Sequence, residues 1–111
     1  MSMRTFAIAF PDNGAMTREL GVLDLPGGHR LRIGSAVLPA GTRVPETGAS
    51  IHAGHELSVI LSGRLSAESG GVPARIEAGM VSVIPAGEAH IATVEEEMRL
   101  VYFMLEPSPA E

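Results

Sequence analysis

Short apolar or alternating runs recur along the chain between glycine and proline punctuation, and no stretch sustains a helical period bounded by caps. Phe6, Ile8 and Phe10 alternate with Ala7 and Ala9, and Pro11-Asp12-Asn13-Gly14 follows with turn chemistry, which predicts a strand and then a turn. A short strand is expected over 22–25, a hairpin turn at Pro26-Gly27-Gly28, and a third strand in which Leu31, Ile33, Ser35 and Val37 share one face. Leu38-Pro39-Ala40-Gly41 ends it. Runs at 57–61, 64–68, 74–77, 80–84, 91–94 and 99–105 read as further strands, with Ser69-Gly70-Gly71 as a turn between two of them. Val94-Glu95-Glu96-Glu97 reads as a solvated hairpin turn.

Roughly eight to ten short strands in so small a domain must close into a barrel or pack as two sheets, because an open sheet leaves long edges to aggregate. The expectation is an all-β fold, an antiparallel jelly-roll β-barrel or double-stranded β-helix. A chain of 111 residues makes one domain, with a structured core over about 4–105 and a tail over 106–111 marked by Pro107 and Pro109.

Composition narrows the function classes. Formal net charge is −5, and the eight basic residues are all arginines scattered from Arg4 to Arg99, so no nucleic-acid footprint is expected. There is no cysteine, which excludes disulfides, thiolate catalysis and zinc-thiolate sites and leaves any metal to His, carboxylate and water. No segment approaches the roughly eighteen apolar residues of a membrane span, and the N-terminus lacks the apolar run of a signal peptide, so no membrane partner and a cytoplasmic location are expected.

One stretch carries concentrated chemistry. His52-Ala53-Gly54-His55-Glu56 places two histidines and a glutamate directly before the apolar run Leu57-Ser58-Val59-Ile60-Leu61. Ionised glutamate is rarely buried unpaired, so an inward Glu56 needs a cation or a tight hydrogen-bond partner, a role an arginine would fill equally well. Further on, Pro85-Ala86-Gly87 sets His90 just past a turn, as a third candidate beside His52 and Glu56. His29, in the hairpin turn, is given no function. His55 alternates with Glu56 and so points the other way if the strand has begun, or swings inward if the turn bulges at Gly54.

These two stretches resemble the paired motifs of the cupin superfamily. Glu56, six intervening residues and Gly63 match the end of the first motif, with His52 at the position of its second histidine and Ser50 in place of its first. Gly79, five residues, Pro85, Ala86, Gly87, two residues and His90 match the second without a gap, although Val94 stands at its final asparagine position. The resemblance implies a small RmlC-like barrel with a ligand pocket in its mouth and a divalent metal, Fe, Mn, Ni or Zn, held by His52, Glu56 and His90. His55 is an additional candidate ligand in view of the missing first histidine.

If Glu56, Ser58 and Ile60 face the lumen, then Leu57, Val59 and Leu61 form an outer face too apolar for water. The segment around 6–10 or a second subunit must cover it, and the resemblance favours a homodimer. The function expected is a metal-dependent enzyme, oxygenase or isomerase in type, acting on a small polar metabolite. The alternative is a non-catalytic module that binds or senses a small molecule or a metal.

Overall fold

In a computed structural model, which describes residues 2–107, all regular structure is β. The strands are β1 (Thr17–Leu25), β2 (His29–Leu38), β3 (Arg43–Val44), β4 (His55–Ser69), β5 (Val72–Glu77), β6 (Val81–Ile84) and β7 (His90–Pro107). Every pairing is antiparallel and the path runs β1-β2-β7-β4-β5, with β3 on β7 and β6 on β4. The sheet curls without a closing pair, in keeping with the jelly-roll expectation.

Seven strands replace the roughly eight to ten expected, because two pairs of expected strands are continuous. The runs 57–61 and 64–68 join in β4, which shifts register at Ile60/Ser62, Ser62/Arg64 and Arg64/Leu65 and so bends without ending. Gly63, at φ +90°, sits in this bend, where an added Cβ would lie 2.6 Å from Met98 Cα. Only glycine lets β4 and β7 approach so closely here.

Val94-Glu95-Glu96-Glu97 is the second correction: the run lies inside β7 and makes no hairpin turn. Val94 and Met98 are buried in the core while the three glutamates between them stay exposed. Cross-strand partners explain why the charges remain in the ladder: Ser66 Oγ donates to Glu95 at 2.6 Å, Arg64 Nε donates to Glu95 at 3.2 Å, and Arg64 pairs with Glu96 at 3.0 Å.

The third correction concerns 6–10, which forms no strand. Phe6 and Phe10 are partly buried against the sheet while Ile8 stays exposed, and the backbone joins no ladder: Phe6 rests on Gly21 of β1, Ser35 of β2 donates to the Ala9 carbonyl, and the Arg99 guanidinium of β7 lies 5.1 Å from the Phe10 ring centroid. Glu106 and Pro107 finish β7, and the rest of the expected tail, positions 108–111, lies outside the described residues.

Register fixes which side chains point inward. Ile60 opposes Leu100, which opposes Ala36, and these three with Leu65, Val94 and Met98 form the buried core. On the other face Leu57 opposes Val83 and Phe103, and Val59 opposes Val81 and Val101. The expected parity therefore holds, with Glu56, Ser58 and Ile60 turned to the lumen side.

Candidate metal centre

The loop at 45–54 approaches the lumen mouth under several backbone constraints. Arg43 braces its first part by donating to the carbonyls of Pro45 (2.6 Å) and Gly48 (2.9 Å). Ser50 and His90 exchange both backbone hydrogen bonds at 2.9 Å, and the Gly87 N–H donates to the His52 carbonyl at 2.9 Å. The Pro-x-Gly turn and the His52 loop are thus tied to each other. Gly54 is buried where the chain crosses the end of β7, and a Cβ there would stand 2.7 Å from the Leu105 carbonyl oxygen.

These ties bring His52, Glu56 and His90 together. One ligating atom from each lies within 4.8 Å of the others. Glu56 Oε2 is 3.8 Å from His52 Nε2 and 3.8 Å from His90 Nε2, and the two imidazoles are 5.0 Å apart at a 40° tilt. Nitrogen and oxygen donors about 2.1 Å from one ion stand roughly 3 to 3.5 Å apart, so the trio closes on a cation through side-chain movements of about an ångström. Two neutral nitrogens and one carboxylate are a donor set that suits a divalent transition metal with positions to spare.

A second contact orients His90. Its Nδ1 lies 3.3 Å from the Glu88 carbonyl oxygen, which can only accept, so the proton sits on Nδ1 and the Nε2 lone pair faces Glu56. Among the described residues no further His, Asp or Glu joins the group. His55 is exposed and its Nδ1 accepts the Ala86 N–H at 3.0 Å, so it contacts the Pro-x-Gly turn from outside the trio. Ser50 contributes its backbone bridge to His90. His29 is exposed at the start of β2.

Glu56 and His90 open onto a cavity of about 350 Å³ bordered by β4, β5, β6 and β7, with Leu38 of β2 and Val44 of β3. Ser58 and Ser82 oppose each other across its wall, and Ile60, Leu65, Ile76 and Ala92 supply aliphatic lining. Ser69 opposes His90, and its hydroxyl is buried with no hydrogen-bond partner, a feature nothing in the structure explains. Tyr102 opposes Ser58 and packs against the core. Burial above all pushes its phenol pKa up, with the charges of Glu19 and Glu56 adding and that of Arg32 opposing.

Sequence reasoning found the trio but missed the Arg43 brace, the Ser50–His90 bridge and the Glu88 carbonyl. The last two act through backbone atoms, which leave no mark in residue identity.

Comparison with known proteins completes the picture. A family profile described as "Cupin domain" matches residues 35–106, well over half of the chain. No curated protein matches in sequence. A conserved protein of unknown function from Streptococcus pyogenes is similar in fold at TM-score 0.70 and 22% identity, covering 91% of this chain and 82% of that one. A cupin superfamily protein from Desulfitobacterium hafniense is similar at TM-score 0.70 and 17% identity, with 89% and 84% covered. A salicylate 1,2-dioxygenase from Pseudoaminobacter salicylatoxidans is similar at TM-score 0.60 and 23% identity over 67% of this chain, which spans 21% of that larger protein. Among the described residues no helix is long and apolar enough to cross a membrane.

Proposed function

This chain belongs to the cupin family, and we propose that it is a metal-dependent enzyme of the oxygenase or isomerase type whose divalent ion, Fe, Mn, Ni or Zn, is held by His52, Glu56 and His90. The observation that carries the reading is the convergence of three ligating atoms within 4.8 Å at the mouth of a cavity. A bound divalent ion there would supply Lewis acidity or redox chemistry to a small oxygen-bearing substrate. Glu56 contributes the single negative charge, so the centre keeps a net positive charge that favours an anionic or enolisable oxygen ligand. The Glu88 carbonyl fixes the His90 tautomer, and the Gly87 N–H fixes the His52 loop by donating to the His52 carbonyl. The fold likeness to a dioxygenase is in keeping with oxygenase chemistry but is too distant to choose it.

One observation favours a second reading. Tyr102 shares the inward face through its partner Ser58, but beyond Glu56 and His90 no histidine, carboxylate or tyrosine of β4 to β7 lines the cavity, and a non-catalytic binding or sensor module would require no such group.

The test is metal content of protein purified without chelator or affinity metal. His52→Ala, Glu56→Ala and His90→Ala should each lose most of the ion, while His55→Ala keeps it. With metal at a hundredfold over Kd, ligation stabilises the fold by about 2.7 kcal/mol, so chelation should lower the wild-type Tm and leave that of Glu56→Ala nearly unchanged. Full occupancy in Glu56→Ala would end the proposal. Oxygen uptake by the loaded protein separates enzyme from binding module.

We also propose a homodimer. The segment at 6–10 covers the outer face over β1, β2 and part of β7, but Leu61 is 47%, Val81 60% and Val83 61% exposed. A second copy is the proposed cover for this patch.

A further inference from the structure

Register determines what the lumen offers a ligand beyond the three candidate metal ligands. Ala67 opposes Ala74 and Ala92, Leu65 opposes Ile76, and Glu56 opposes Ile84, so the inward face of the walls is aliphatic. Arg75 borders the cavity, but the register sets its side chain toward the opposite face: it opposes Ser66, and its guanidinium lies 3.7 Å from Glu95, which Ser66 and Arg64 also bind. Arg43 opposes Thr93, while its neighbour Val44 opposes Ala92 and lines the cavity. Arg32 opposes Met104, which opposes Glu56, so it shares the inward face, but its charge is taken up by Glu19 and Glu106. Both arginines that come to the cavity or its face, Arg75 and Arg32, are thus already paired with carboxylates.

The geometry points to a ligand that is polar at one end only: a small molecule with one metal-chelating oxygen head and an unbranched apolar body lying against Ala67, Ile76 and Ala92. This deepens the proposed function and rests on it for the head, while the body rests on the walls alone. It narrows the small polar metabolite expected from the sequence. A polyanion such as a nucleoside diphosphate would have to compete with Glu19, Glu106 and Glu95 for Arg32 and Arg75, and a polyhydroxylated body would leave hydroxyls facing alanine and isoleucine. Ser58 and Ser82 beside Glu56, and Ser69 opposite His90, are the hydroxyl groups on the lining, and each adjoins a candidate metal ligand, where a further oxygen of the head would be received. At about 350 Å³ the cavity is near the lower limit for small-molecule sites, which sets the ligand's size.

The test uses straight-chain alkyl hydroxamic acids of increasing length, titrated into zinc-loaded and zinc-free full-length protein, with isoleucine methyl signals of Ile76 and Ile84 followed by NMR. Each added methylene should raise affinity about fourfold until the cavity is filled, as expected for burying one CH₂. A hydroxylated analogue of equal length should bind more weakly, and zinc should raise the affinity of the whole series. Affinity that is flat or falling with length, equal or better binding of the hydroxylated analogue, or shifts at Ile33 on the outer face in place of the two isoleucines would overturn the inference. A retained length dependence with no effect of zinc would uphold the apolar lumen while removing the metal reading.

Discussion

Replacing Gly63 by alanine tests the physical role of a motif glycine, and Gly79 supplies the control. Both residues sit at positive φ, +90° and +88°, so both variants force an L-residue into the left-handed region at about 1–2 kcal/mol. They differ in what the new methyl meets. At Gly79 nothing lies within 4 Å, whereas at Gly63 it would stand 2.7 Å from the Glu97 carbonyl carbon and 2.6 Å from Met98 Cα. These are backbone atoms of the adjacent strand, and Met98 is fully buried, so β7 cannot yield locally. Forcing such an overlap adds roughly 1–3 kcal/mol. Gly63→Ala should therefore cost about 2–5 kcal/mol and Gly79→Ala about 1–2. The entropy that alanine removes from the unfolded chain is shared by both and cancels in the comparison. Urea unfolding at one fixed protein concentration, with unchanged m-values, reads the difference as a shift in midpoint. Equal midpoints for the two variants would refute the close-approach argument.

Ser66→Ala should raise the Glu95 pKa toward the ordinary glutamate value, since the Ser66 hydrogen bond is the foremost cause of its depression, ahead of the favourable effects of Arg64 and Arg75. Because the folded value is lowered, Glu95's contribution to stability is present above the ordinary glutamate range and lost as pH falls through the folded pKa; NMR titration of the side-chain carboxyl in wild type and variant checks it. Tyr102 is the only tyrosine in a chain without tryptophan, so tyrosinate absorbance reports it alone. Its raised pKa means that its contribution to stability is present below the unfolded tyrosine pKa and lost as pH rises through the folded one, and Glu56→Gln should shift the titration downward by removing a negative charge. Val83→Glu should convert the proposed homodimer to monomer in light scattering; a wild-type monomer mass across a wide concentration range would remove the dimer.

What the sequence made legible, and what it hid, follows from where each signal resides. The alternation of Glu56, Ser58 and Ile60 with Leu57 and Val59 is a side-chain pattern of period two, and it assigned lumen and outer face correctly because one face must be buried. His52, Glu56 and His90 were legible for a related reason: their spacing around two turns is written in residue types, and the fold brings their ligating atoms within 4.8 Å. Patterns that depend on a partner elsewhere in the chain were misread. Val94-Glu95-Glu96-Glu97 has the composition of a turn, yet Ser66 and Arg64 hold it in β7 from a strand some thirty residues away. Phe6, Ile8 and Phe10 alternate like a strand, but Phe6 finds a side-chain-free platform at Gly21, so the segment lies across the sheet and does not extend it. The same distinction bears on the Ser50 substitution. A serine in place of a ligating histidine reads as a loss in one dimension, whereas in three the backbone of Ser50 carries both hydrogen bonds that seat His90. Position 50 therefore continues to shape the candidate centre with no side-chain donor, and on the proposed reading the coordination position that a histidine would fill would be left to water or substrate.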